Sequence, residues 1–86
     1  MADYQVVVSK RAASEIEDLQ DGIAARVYAK LEALANEPRP PGVKKLRGAA
    51  NSYRVRIGDW RILYEIDDRK RLVDVAAVRH RSKAYD

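Results

Sequence analysis

Tyr53-Arg54-Val55-Arg56-Ile57-Gly58-Asp59-Trp60-Arg61-Ile62-Leu63-Tyr64-Glu65-Ile66 is the stretch that decides the fold. Tyr53, Val55 and Ile57 alternate with Arg54 and Arg56, the period of two that puts successive side chains on opposite faces of a strand. Gly58-Asp59 reads as a tight reversal. A second strand then runs from Trp60 to Ile66, with Trp60, Ile62, Tyr64 and Ile66 on its apolar face. Arg61 falls on the opposite face, as Arg54 and Arg56 do. Asp67-Asp68-Arg69-Lys70 is the next turn, and Leu72 to Val78 is a third strand, apolar on both faces apart from Asp74. That double-sided pattern predicts a central strand. Links this short force the three runs into an antiparallel meander.

Upstream, the period changes. Glu37-Pro38-Arg39-Pro40-Pro41-Gly42 separates the meander from two helical segments, because three prolines in four residues remove donors and forbid helical geometry. Before the prolines, Ile23, Val27, Leu31 and Leu34 form a stripe at helical spacing, flanked by Ala24 and Ala35. Asp21-Gly22 is a turn signal, with Asp21 placed to cap that helix. An earlier helix is predicted over Lys10 to Gln20, N-capped by Ser9 and carrying Ala12, Ala13, Ile16 and Leu19 on one side. Tyr4 to Val8 is a short β-branched strand. One domain over residues 1–86 is expected. Its class is α+β: an N-terminal strand and a two-helix hairpin packed on one face of a small antiparallel sheet, mixed at one edge.

Composition limits the chemistry. The 86 residues carry 17 Lys+Arg against 13 Asp+Glu, a formal net charge of +4, and they contain no cysteine and one histidine. Disulfides, thiolate metal sites, Cys-His nucleophiles and His-rich metal clusters are thereby excluded. The glycines are scattered turn residues, and no glycine-rich phosphate loop exists. No metal or small-molecule cofactor is expected. No apolar run approaches the ~20 residues needed to span a membrane. Asp3 and Tyr4 precede only three consecutive valines, so no secretory leader is read at the N-terminus and a cytoplasmic protein is expected. The charge is uneven: residues 1–42 carry 5 basic and 7 acidic side chains, whereas residues 43–86 carry 12 and 6. A basic half of this kind points to a polyanionic partner, with nucleic acid first.

The strand pattern gives that charge a place. Arg54, Arg56 and Arg61 share the sheet face turned away from the helices. Arg79 and Arg81 end the third strand; if alternation persists they point the same way, with His80 opposite. Ser82, Lys83, Ala84 and Tyr85 follow, so an aromatic can lie beside the arginines. Arginines gathered on one half-open face repel one another unless an anion sits among them. Their planar forks bind phosphate bidentately, and a tyrosine can stack on an unpaired base. Single-stranded RNA suits such a face better than duplex DNA. An RNA enzyme built this way would be metal-free, using attack by the adjacent 2′-hydroxyl on phosphate with arginines stabilising the growing charge.

Lys44-Lys45-Leu46-Arg47-Gly48, the block from Tyr53 to Ile66, and Val78-Arg79-His80-Arg81 followed by Tyr85 resemble the RelE/ParE toxin superfamily, and more narrowly its RelE branch of type II toxin–antitoxin toxins. The resemblance covers nearly the whole chain. It implies the RelE-like microbial RNase fold and a toxin that enters the ribosomal A site, cleaves mRNA there, and is held inactive by a cognate antitoxin. Arg54 and Arg56 match the family's basic residues that contact RNA and assist deprotonation of the 2′-hydroxyl. Arg61 matches the arginine that stabilises the phosphate, Arg81 the one acting on the leaving group, and Tyr85 the tyrosine that stacks on the base. Lys44, Lys45, Arg47, Arg79, His80 and Lys83 are expected to bind RNA around them. The family pattern carries lysines where Arg54 and Arg56 stand. Arginine is a poor proton acceptor, so the general base is left among Tyr85, His80 and water. The sequence stops one residue after Tyr85, which predicts a tyrosine that is mobile without a partner.

Two other readings share the fold. A ParE-like toxin inhibits DNA gyrase without being an enzyme. A module that binds RNA or antitoxin without catalysis is the second.

Overall fold

The computed structural model describes residues 3–48 and 50–83. The elements run β1 (Gln5–Val8), α1 (Lys10–Glu17), α2 (Asp21–Asn36), β2 (Lys44–Lys45), β3 (Ser52–Ile57), β4 (Trp60–Asp67) and β5 (Leu72–His80), followed by a 3₁₀ turn over Arg81–Lys83. The strands form one sheet in the order β1-β5-β4-β3-β2. β2 to β5 pair antiparallel, and β1 pairs parallel with β5, so the sheet is mixed at one edge as expected. β5 lies between β1 and β4, which is why its sequence is apolar on both faces. Among the described residues no helix is long and apolar enough to cross a membrane.

Local chemistry sets the element boundaries. Ser9 caps α1: its Oγ accepts from the Ala12 N–H at 3.0 Å and donates to the Ala76 carbonyl at 3.0 Å, tying the helix start to the sheet. α1 ends at Glu17 rather than Gln20, because the Leu19 N–H turns back to the Ile16 carbonyl in a tightened i→i+3 bond. Asp21 is the first residue of α2, not its cap. The N-cap position falls to Gln20, which makes no side-chain bond, while the Asp21 carboxylate sits in the first turn where the helix dipole favours it. Gly58 has φ +57°, and no positive φ occurs at Asp59; glycine first in a two-residue loop with this geometry is the type II′ pattern, whose twist matches the strands.

The helices cover one sheet face. Ala12 and Ile16 of α1 and Val27, Leu31 and Leu34 of α2 are buried against Tyr53, Val55, Ile57, Ile62, Tyr64, Ile66, Val73, Val75 and Val78. Each such fully buried aliphatic side chain contributes roughly 1.5–3 kcal/mol of transfer free energy. Tyr64 anchors the proline-rich exit, its hydroxyl donating to the Pro38 carbonyl at 2.7 Å. Burial pushes the Tyr64 phenol well above its ordinary pKa, which keeps it a donor.

The β4–β5 register decides what lies on the open face. Leu63 pairs with Ala77 and Tyr64 with Val75, so β5 carries one extra residue, Ala76. This bulge inverts the phase of β5. Val73 and Val75 face the helices, yet so does Val78, and Arg79 comes opposite Arg61.

Candidate functional site

Four neighbouring strands, β2 to β5, place basic residues in register on the face away from the helices. Arg56 lies directly opposite Arg61, Arg61 directly opposite Arg79, and Lys44 directly opposite Arg54. Like charges opposite one another destabilise a sheet. Here three such pairs occur side by side, a local cost that a bound anion would reverse.

Lys44, Arg54, Arg56 and Arg61 line one cleft of about 110 Å³, closed on a further side by Gly42. Among the described residues no carboxylate lines it. Gly42, at φ +88°, is where the chain leaves the proline segment, and the Val43 N–H bonded to the Pro40 carbonyl at 3.1 Å turns it toward β2. Lys44 is thereby brought beside Arg54. At the bottom is Arg61, only 7% exposed. Its Nη1 donates to the carbonyls of Gly58 at 3.2 Å and Trp60 at 3.1 Å, while its buried Nε has no partner. Two carbonyl dipoles thus fix the guanidinium, and one N–H remains unsatisfied in a site lined by cations. The fixed guanidinium sets a positive charge at the base of the cleft, where an anion held above it is stabilised.

The other sequence-predicted residues lie elsewhere. Lys45 is exposed opposite Tyr53, and Arg47 is exposed in the loop after β2. Arg79 shares the sheet row with Arg61, but its guanidinium runs to the β5 edge, with Nε 3.9 Å from Glu15 Oε2 and Nη1 3.5 Å from the Lys83 carbonyl. His80 sits edge-on to Trp60, ring centroids 5.4 Å apart, with Nδ1 3.1 Å from Ser82 Oγ. With Lys83 it lines a separate cavity of about 440 Å³ beside α1. Alternation stops at His80. Arg81 enters the 3₁₀ turn, where its N–H donates to the Asp59 carbonyl at 2.7 Å and its Nε lies 3.9 Å from Asp59 Oδ1. Arg81 therefore stands at the hairpin end of the basic face, outside the cleft. Tyr85 lies outside the described residues.

Sequence reasoning missed two contributors. Gly42 forms a wall that only the turn geometry reveals. Glu15 of α1 extends its carboxylate to the sheet, Oε1 accepting from the Val78 N–H at 2.9 Å, and so draws Arg79 aside.

Comparison with known proteins gives the setting. Residues 6–85 match the family described as the ParE toxin of the type II toxin–antitoxin system parDE. The toxin RelE of Mycobacterium tuberculosis is 30% identical over 83 residues, covering 95% of this chain and 86% of that one. The crystal structure of the toxin–antitoxin complex RelBE2 from Mycobacterium tuberculosis superposes with a TM-score of 0.81 at 32% identity, over 92% of this chain and 99% of that one. That of the archaeal RelE–RelB complex from Pyrococcus horikoshii gives 0.84 at 25% identity, over 95% and 99%. Likeness in sequence and in fold therefore extend over the same residues that build the arginine-lined cleft, and the chain belongs to the ParE toxin family of type II toxin–antitoxin systems, on its RelE branch.

Proposed function

We propose that this toxin is a ribosome-dependent endoribonuclease that cleaves mRNA in the A site, in the cytoplasm, without a metal. The observation that carries the reading is the cleft of Lys44, Arg54, Arg56 and Arg61, with the buried, partly unpartnered Arg61 at its base. In the reaction the 2′-oxygen attacks the adjacent phosphorus, its proton leaves to a base, and the bond to the 5′-oxygen breaks as that oxygen gains a proton. A cyclic 2′,3′-phosphate and a 5′-hydroxyl result. Negative charge builds on the non-bridging oxygens, which the Arg61 guanidinium at the base of the cleft would stabilise. Arg54, Arg56 and Lys44 hold the strand and favour the charged transition state. Arginine stays protonated, so Arg54 and Arg56 do not accept the proton, and Tyr85, His80 or water is proposed to take it. Arg81 would meet the leaving group at the hairpin end.

The solved relatives are RelE toxins held with RelB antitoxins. A cognate antitoxin for this chain, masking a basic face by charge complementarity, follows from that likeness. Primer extension on mRNA after induced expression tests the function: new 5′ ends in codon phase are expected, and they should vanish in Arg61→Ala.

A second reading has one observation in its favour, the ParE description of the matching family. A gyrase inhibitor would produce DNA damage with intact mRNA, in the same induction experiment.

A further inference from the structure

Arg56 lines a second groove as well as the cleft. The groove, of about 390 Å³, lies between α2 and the β3–β4 hairpin, and its other main walls are Arg26, Lys30, Ala29, Ala33 and Gly58. Arg26 and Lys30 are four residues apart, so they stand on one face of α2 as a like-charge pair that destabilises the helix. Ala29 and Ala33 lie between and beyond them on the same face and keep the floor low. Arg26 reaches across to the hairpin, where a Cβ on Gly58 would lie 3.6 Å from its Nη1. Among the described residues Arg26, Lys30 and Arg56 form no ion pair, and no carboxylate lines the groove. On this side β2 covers only Tyr53 and Arg54, so the sheet edge from Val55 to Ile57 is open to the groove.

The geometry points to this groove as a second phosphate-binding site, which takes the backbone of the single-stranded RNA flank as it leaves the cleft. The inference rests on the cleft binding RNA, as proposed above, but not on cleavage. Because Arg56 belongs to both cavities, the cations form one track: Lys44, Arg54 and Arg61 on the sheet face, Arg56 at the corner, Arg26 and Lys30 on the helix. A polynucleotide presents charges at regular spacing and benefits from each cation in such a line. The track explains why α2 tolerates two unpaired like charges beside a β-hairpin that is already strongly basic.

The test measures binding of fluorescein-labelled 2′-O-methyl oligoribonucleotides, which cannot be cleaved, to the purified chain at several salt concentrations. The wild type should bind a 12-mer more tightly than a 4-mer. The double variant Arg26→Gln with Lys30→Gln should bind the 12-mer about tenfold more weakly, with a salt slope lower by about 1.4, two phosphate contacts at ~0.7 each. The 4-mer should be unaffected. Arg26→Lys with Lys30→Arg should restore the 12-mer, which separates lost charge from lost structure. An unchanged 12-mer affinity and slope in the double variant overturns the groove, and so does equal weakening of both oligomers. Absence of mRNA cleavage by the wild type, with length-dependent binding intact, would sink the enzymatic reading and leave the groove standing.

Discussion

Arg61 faces Arg56 across the β3–β4 ladder, and its guanidinium folds back on its own hairpin to donate to the Gly58 carbonyl at 3.2 Å. Two like charges in register would ordinarily splay apart. The hairpin carbonyls prevent this, and they fix one guanidinium in a buried position while Arg56 stays exposed beside it. The site therefore has a buried, carbonyl-bound cation at its base and more exposed cations around it, a division suited to stabilising one charge and gathering a flexible strand.

Arg61→Ala should lower mRNA cleavage on programmed ribosomes by about 10²–10³-fold, the usual loss for a preorganised donor to a developing oxyanion. Arg61→Lys should recover little of this, because a compact ammonium lacks the planar fork that lets one nitrogen hold both hairpin carbonyls while the delocalised charge lies at the base of the cleft. Arg56→Ala, at an exposed position, should lose less. Counting new 5′ ends against time for the three variants gives the order; a fully active Arg61→Ala would remove Arg61 from the site.

Tyr64→Phe should cost about 1–3 kcal/mol, because the buried Pro38 carbonyl loses its donor while the ring keeps its place 6.1 Å from Tyr53. Pro38 starts the segment that delivers Gly42 and Lys44 to the cleft. Urea denaturation should show the loss, and amide exchange at Val43 to Leu46 should speed up more than at β5. Equal stability of the two proteins would show that the bond holds nothing in place.

The meander, the central strand and the three arginines of β3 and β4 were legible because strict alternation over Tyr53 to Ile66 leaves no other face for Arg54, Arg56 and Arg61. From Ala76 onward the reading fails for a physical reason. Alternation carried on from Val73 and Val75 would turn Arg79 toward the helices; the bulge at Ala76 reverses that, and no residue type in Asp74-Val75-Ala76-Ala77 announces it. Arg81 leaves the strand because its N–H pairs with the Asp59 carbonyl at the hairpin tip, a contact 22 residues away in sequence. β2 is two residues long, too short for any period to show, so Lys44 reads as one of several basic residues until its pairing with Arg54 is seen. Glu15 gave no signal at all, being one more acidic residue on a helix.

Glu15→Ala should destabilise the fold by about 1–3 kcal/mol, since the Val78 N–H at the open edge of β5 would lose its acceptor. Glu15→Gln keeps a carbonyl oxygen there and should cost less than about 1 kcal/mol, because the ion pairs it loses with Arg11 and Arg79 are long and partly exposed. Freed from Glu15, Arg79 can rejoin the row of Arg61. Both variants should then bind RNA at least as tightly as the wild type, measured by the same anisotropy titration, and weaker binding would show that Arg79 serves RNA from its place at the edge.

Asp68 supplies the pH dependence. Two Arg39 bonds, at 3.2 and 2.9 Å, and the Tyr4 hydroxyl at 2.6 Å hold its carboxyl at about 2 against an ordinary 3.8, with Arg39 the larger cause. A carboxyl lowered on folding releases its proton more readily in the native state, so between about pH 4 and 2 the unfolded chain binds the extra proton. Stability from this cluster is complete above about pH 4 and is lost as the pH falls toward 2. The cluster joins the residue before β1, the proline segment and the β4–β5 turn, and it reaches β3 because Arg39 also donates to the Tyr53 hydroxyl at 3.2 Å and lies over that ring. Thermal melts from pH 5 to pH 2 should therefore show a smaller acid-induced fall for Asp68→Asn than for the wild type, the variant starting lower at pH 5. Parallel curves for the two proteins would mean that some other carboxylate carries the acid limb.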